Sequence, residues 1–215
     1  MPNDTLLKES VLAELLWEPS VSAAHIGVTA RDGVITLMGH VQTFAEKHAA
    51  EAAVRRVKGV KAIAEEIEVK LAFDVKRSDE DIAGAIVSRL AWDSTIPKDS
   101  VKATVQNGWV TLAGEVDWRF EHDAAAQEVR KLWGVVGVTN RITVKSRVDT
   151  SNVRADINRA LHRSWFDPQN IRVTADGGRV KLTGTVHSWS DRMLAGTTAW
   201  AAPGATVVEN DLVIA

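Results

Sequence analysis

Apolar positions along the chain follow two periods, helical and alternating, and these succeed one another in a fixed order. In LLKESVLAELLW, Leu6, Val11, Leu15 and their neighbours fall at helical spacing, and DIAGAIVSRLAW and VRADINRALHRSW repeat the pattern further on. Two short alternating runs follow, IGVTA and VITLMG in the first case, joined through Arg31-Asp32-Gly33. Glycine accepts positive φ at little steric cost, so this is the chemistry of a tight hairpin turn. Asn107-Gly108 and Asp176-Gly177-Gly178 supply it twice more. The alanine-rich stretches FAEKHAAEAAVRRV, RFEHDAAAQEVRKLW and WSDRMLAGTTAWAA are each long enough for a second helix, and a glycine stands at the C-cap of each. A last alternating run, such as NRITV at Asn140–Val144, predicts a third strand.

The order is therefore α-β-β-α-β, stated three times. GVITLMG, GWVTLAG and GRVKLTG mark the hairpins, and their closing glycines Gly39, Gly114 and Gly184 are separated by 75 and then 70 residues. The same offsets carry Gly59 to Gly134 to Gly204, and Ile67 and Val69 to Ile142 and Val144 and then to Leu212 and Ile214. Trp17 matches Trp92 at 75, while the third copy is about three residues shorter between Trp165 and its hairpin. The copies are placed at 4–71, 79–146 and 151–215.

This pattern predicts an α+β protein of three tandem α-β-β-α-β modules, each a three-stranded mixed sheet with two helices packed on one face. Strands one and two pair antiparallel through the hairpin, and the second helix crosses back so that strand three lies parallel to strand two. Ile26, Val28, Ile35 and Leu37 point toward the helices, as do Val110 and Leu112, and Val180 and Leu182. Each copy has all the elements of its own core, so no strand exchange between copies is expected.

The opening helix, the hairpin, the second helix ending at glycine and the closing strand resemble the BON family, named for bacterial osmotically inducible periplasmic and nodulation proteins. The likeness covers nearly the whole chain as three copies in register. It implies the α-β-β-α-β fold and non-catalytic modules that associate with phospholipid membranes or other components of the bacterial cell envelope, with a link to osmotic stress.

Composition narrows the chemistry. The chain has 215 residues, 45% apolar, enough for ordinary soluble cores. It has no cysteine, which excludes disulfides, thiolate metal sites and a cysteine nucleophile. Asp4, Lys8, Glu9 and Glu14 interrupt any apolar core of a signal peptide at the N-terminus, so the chain as written is expected in the cytoplasm, with a peripheral position at the inner membrane as the alternative. No run reaches the roughly eighteen apolar residues of a membrane span. The formal charge of −2 gives no pull toward nucleic acid.

No constellation supports catalysis, and no cofactor is implied. The six histidines, His25, His40, His48, His122, His162 and His187, show no zinc-ligand spacing. The equivalents of His40 are Glu115 and Thr185, which reads as a surface position rather than a metal site. GxSxG, P-loop and GxGxxG motifs are absent. Glu65 and Glu66 face opposite ways in a strand and make poor acid-base partners.

The eight tryptophans divide. Trp17, Trp92 and Trp165 recur at the end of the first helix and are expected to be buried packing residues, as are Trp133 and Trp200 near the ends of second helices. Trp109 alternates with Val110 and Leu112 and is expected to look out from the bare face of the sheet, where it would meet a neighbouring copy or stack on a ligand; its counterparts are Val34 and Arg179.

Charge separates the copies: eight basic against ten acidic side chains in each of the first two (net −2), and seven against six in the third (net +1). In the third, Arg172, Arg179 and Lys181 fall on the face turned away from the helices, and the opening helix adds Arg154, Arg159 and Arg163 ahead of Trp165-Phe166. Basic side chains beside aromatics hold peripheral proteins at anionic headgroups, each contributing about 1 kcal/mol near the surface. The joints, Leu71–Ser78 and Arg147–Thr150, are too short and too poor in glycine and serine to be free tethers, so the copies combine as one multivalent binding surface. The expectation is a non-enzymatic three-module binding protein on anionic phospholipid or an envelope partner. A soluble adaptor between proteins is the alternative, and a small-ligand or ion sensor the third reading.

Overall fold

In the computed structural model, residues 2–72, 76–145, 153–163 and 170–214 are described. Trp165 and Phe166, and the second joint, lie outside them. The first copy runs α1 (Pro2–Trp17), β1 (Ile26–Arg31), β2 (Val34–Val41), α2 (Phe44–Arg55) and β3 (Ala62–Val69). The second runs α3 (Asp79–Trp92), β4 (Val101–Gln106), β5 (Trp109–Val116), α4 (Arg119–Arg130) and β6 (Gly137–Val144). The third runs α5 (Val153–Leu161), β7 (Ile171–Asp176), β8 (Arg179–Val186), α6 (Trp189–Trp200) and β9 (Val207–Ile214). The predicted order holds throughout.

Each sheet is made of consecutive strands with the second in the middle: β1-β2-β3, β4-β5-β6 and β7-β8-β9. β1 and β2 pair antiparallel, Val28 opposite Leu37, and β3 runs parallel to β2 with Ile35 opposite Ile63. The third sheet repeats this with Val173 opposite Leu182 and Val180 opposite Val208. Val11 and Leu15 of α1 and Ala50, Ala53 and Val54 of α2 close over Ile26, Val28, Ile35 and Leu37. Val153, Ile157 and Leu161 of α5 and Ala195 and Ala199 of α6 do the same over Val173, Val180 and Leu182. Val110 and Leu112 are fully buried in the second copy. Strand alternation sends the apolar positions to the helices and leaves the other face bare.

Residues 1–116 with 120–142 form one compact unit, and 117–119 with 143–215 another. Within the first unit the copies touch: Arg130 Nη1 lies 3.2 Å from His48 Nε2.

The recurring glycines are contact points of the backbone. A β-carbon on Gly108, in the hairpin turn, would stand 2.7 Å from the Gly134 carbonyl oxygen, and one on Gly178 would stand 2.8 Å from that of Gly204. That approach ties the hairpin to the end of the second helix, and the N–H groups of Val136 and Thr206 complete it by donating to the Gly108 and Gly178 carbonyls at 3.0 and 2.8 Å. Aspartates at the start of the opening helices hold the same turns: Asp79 accepts from the N–H of Asn107 at 2.7 Å and of Gly108 at 2.8 Å, and Asp4 from that of Asp32 at 3.0 Å.

The two helices of each of the first two copies are also linked by charge, with opposite polarity. Arg56, just past α2, donates to Glu14 of α1 at 2.9 Å and to Glu18 at 2.8 Å. At the equivalent positions 75 residues on, Arg89 of α3 and Lys131 both donate to Glu128 of α4. Lys131, then Arg89, hold the Glu128 carboxyl below its ordinary value of 4.5. A carboxylate depressed in the folded state stabilises above its unfolded pKa and loses that contribution as pH falls through the folded value. Glu128→Gln is therefore expected to lower the melting temperature at pH 7 by the equivalent of about 1 kcal/mol or less, as for a solvent-accessible pair. The gap from wild type should narrow as pH falls from 7 to below 4.5 in melts from pH 3 to 7. A gap that stays constant across that range would exclude this pairing as its cause.

Candidate functional site

All six basic residues singled out in the third copy, Arg154, Arg159, Arg163, Arg172, Arg179 and Lys181, are exposed. Their electrostatic settings differ. On the bare face, Arg179 Nη1 pairs with Glu209 Oε1 at 2.7 Å, and Lys181 Nζ with Asp211 Oδ2 at 2.8 Å and Glu209 Oε2 at 3.9 Å. The hydrogen bond to the Asp211 carboxylate raises the pKa of the Lys181 ammonium above its usual value. Register places these acids where they are: Lys181 stands opposite Glu209, and Asp176 stands opposite Arg179 on the other side. Arg172, Arg179 and Lys181 thus share their face with Asp176, Glu209 and Asp211, and the face carries no net charge. Sequence reasoning counted the cations of β7 and β8 and overlooked these acids of β7 and β9, although strand alternation alone would have put them there.

The opening helix divides further. Arg159 donates to Asp156 one turn earlier, and Arg163 lines a groove of about 370 Å³ between α5 and α6 with Ala160, Thr197 and Pro203. Arg154 and Arg172, from different elements, line a single concavity of about 340 Å³ with Asn158, Asn170, Ile171 and Val173. Among the described residues no carboxylate pairs with either arginine.

Trp109 looks out from the bare face and is 51% exposed. Its indole lies over Gly137, where an added β-carbon would fall 2.4 Å from the ring, and its Nε1 donates to Thr139 Oγ1 at 2.9 Å. The ring thus covers a glycine of its own sheet, which the sequence reading did not foresee.

The other tryptophans correct an expectation. Trp17 is 84% and Trp92 87% exposed; they are not core residues. The buried stripe of α1 runs through Val11 and Leu15, and two residues beyond Leu15 is about 200° around a helix, so Trp17 points away from it. Recurrence at equivalent positions marks a shared exposed position here, not shared packing. Trp133 is likewise 57% exposed, while Trp200 is half-buried. Leu16 and Val87 extend the apolar surface on α1 and α3.

No three Asp, Glu or His side chains gather as a metal set among the described residues. No described helix is long and apolar enough to cross a membrane.

The family model of the BON domain matches residues 3–70, 78–146 and 149–215. The chain belongs to the BON domain family. Its three BON repeats account for nearly all of it. Osmotically-inducible protein Y of Escherichia coli (strain K12) is 28% identical over 147 residues, 66% of this chain and 73% of that protein. A 21 kDa hemolysin of Actinobacillus pleuropneumoniae is 30% identical over 136 residues, 62% of this chain and 70% of that protein. Among solved structures, CdsD, a structural protein of the type III secretion system of Chlamydia trachomatis, is matched over 96% of this chain and 91% of its own at 15% identity, with a TM-score of 0.27. On this common frame the described residues of the first two BON repeats expose Trp17 and Trp92, and those of the third line a concavity with Arg154 and Arg172.

Proposed function

We propose that this BON protein is a non-catalytic, three-module binding protein that attaches peripherally to anionic phospholipid, in the setting of osmotic or general stress. The observation that carries this reading is the pair of tryptophans, Trp17 and Trp92, presented to solvent at equivalent positions. An indole combines an apolar body with a polar N–H and favours the boundary between hydrocarbon and headgroups. Among the described residues no carboxylate pairs with Arg154, Arg163 or Arg172, and these cations can meet anionic headgroups. Similarity to a protein named for osmotic induction supports the stress setting.

Sedimentation with neutral phosphatidylcholine vesicles, and with vesicles containing phosphatidylglycerol, tests it. Wild type is expected to sediment with the anionic vesicles only, less so as salt shortens the screening length to about 8–10 Å. Full burial of a large apolar side chain gives about 1.5–3 kcal/mol, so removing two partly inserted indoles in Trp17→Ala/Trp92→Ala should weaken binding about tenfold or more. Wild type that stays in the supernatant at low salt would end the membrane reading.

A soluble adaptor is the second reading, and the bare face of the third repeat favours it. There Arg179 and Lys181 are paired with Glu209 and Asp211, an alternation of charge that suits a patterned protein surface better than a uniformly anionic bilayer.

A further inference from the structure

We infer that the concavity between α5 and β7 of the third BON repeat is a binding site for a phosphate monoester or inorganic phosphate, with Arg154 and Arg172 as the charged ligands. Arg154 and Asn158 are four residues apart on α5 and share a face; Asn170 and Arg172 are two apart at the start of β7 and share another. The two faces meet at the free edge of the sheet, where β7 has a neighbour on one side only. Two arginines and two asparagines thereby line one open space of about 340 Å³, large enough for a phosphate with a small organic substituent. Guanidinium forks match phosphate oxygens two at a time, and an amide NH₂ donates to a third.

Two cations facing one concavity repel each other unless an anion lies between them. On the bare face the chain supplies that anion itself, with Glu209 and Asp211 against Arg179 and Lys181. At the α5–β7 edge the described residues supply none, which leaves the concavity suited to an external anion. Aligned on the buried helix positions Val11, Ile86 and Ile157, the equivalents are Lys8, Leu12, His25 and Gly27 in the first repeat and Ala83, Val87, Ser100 and Lys102 in the second. Neither has two cationic and two amide groups, so the site belongs to the third repeat alone. It does not rest on the membrane reading, because the same chemistry recognises a soluble ester or a lipid headgroup.

The test is a ¹H–¹⁵N NMR titration of the full chain with inorganic phosphate and with glycerol 3-phosphate, at ionic strength held constant with chloride. Saturable shifts centred on Asn158, Asn170 and Arg172 are expected. Arg154→Gln/Arg172→Gln should lose about tenfold or more in affinity, as two charge-assisted contacts are removed. Arg179→Gln/Lys181→Gln should bind as wild type does. Amide dispersion reports whether each variant is folded. In parallel, vesicles bearing phosphatidic acid, a phosphomonoester, are compared with phosphatidylglycerol vesicles. Retention on phosphatidic acid that Arg154→Gln/Arg172→Gln abolishes identifies the headgroup as the source. Saturable binding of soluble phosphate without vesicle retention identifies a free ester, and removes the membrane reading while this site stands. Shifts that are absent or never saturate with both soluble probes, together with vesicle retention that the double variant leaves unchanged, overturn the inference.

Discussion

Gly114→Ala unfolds the second BON repeat at temperatures where the first and third remain folded. Gly114 has φ +145°, and a β-carbon there would stand 2.1 Å from the Ser100 carbonyl oxygen. The obstacle is backbone, so no side-chain rotation relieves it. Forcing a non-glycine residue into such a conformation costs about 1–3 kcal/mol before the collision is counted. Relieving the collision requires the start of β4 to leave β5, which takes the pairing of Val101 with Gly114 with it. A module of this size has about 3–10 kcal/mol in all at 0.05–0.15 kcal/mol per residue, so the sum consumes most or all of it. Methyl NMR reads the outcome repeat by repeat. Loss of dispersed Val110 and Leu112 signals, with Val180 and Leu182 unchanged, is the expected result, and a native spectrum in which every methyl keeps its shift would show that the β4–β5 crossing yields more easily than its geometry implies. Gly39 and Gly184 stand in the same relation to the His25 and Asn170 carbonyls, and their alanine variants should act on the first and third repeats in turn.

Leu112→Ala should destabilise the second repeat by about 2–5 kcal/mol, the range for truncating a fully buried leucine. Leu112 is 0% exposed, opposite Ala103 at the centre of its sheet. Because the buried clusters of the first and third repeats draw only on their own elements, the loss should stay local. The measurement is denaturant unfolding followed by the same methyl signals. The transition of Leu112's neighbour Val110 is expected to move to lower denaturant while that of Leu182 stays in place. A single transition shifted as a whole would mean that the repeats unfold cooperatively and that the cores are not independent.

The fold was legible because its determinants are local and stated three times. Alternation at Ile35 and Leu37, turn chemistry at Asp32-Gly33, and glycines at the offsets 75 and 70 each depend on a few neighbouring residues, and each appears in the structure where it was expected. The site was less legible, for two separate reasons. The helical period that buries Leu15 already turns Trp17 outward, so the signal for its exposure is local, and recurrence at Trp92 carries no information on burial. Strand alternation already places Asp176, Glu209 and Asp211 on the outward face; what it leaves open is their partners, because Glu209 and Asp211 reach Arg179 and Lys181 through the parallel pairing of β8 with β9, across 28 to 30 residues of chain. The concavity was beyond sequence reasoning. Nothing in the spacing of Arg154 and Arg172, 18 residues apart, says that α5 and the edge of β7 bring them to one space.

Sequence by itself determined the number of modules, the order of their elements and which side of each strand is buried, since periodicity and turn chemistry act within a few residues and repetition multiplies the signal. It also determined which residue types each repeat has on offer. Tertiary structure alone decided which charges cancel and which stay unpaired, because the energy of a charge depends on what lies within a few ångströms of it, and that is set by strand register and by helix against sheet. Arg179 and Arg172 are both basic, outward-facing strand residues seven positions apart in sequence; one is matched to a glutamate and the other opens onto an amide-lined concavity.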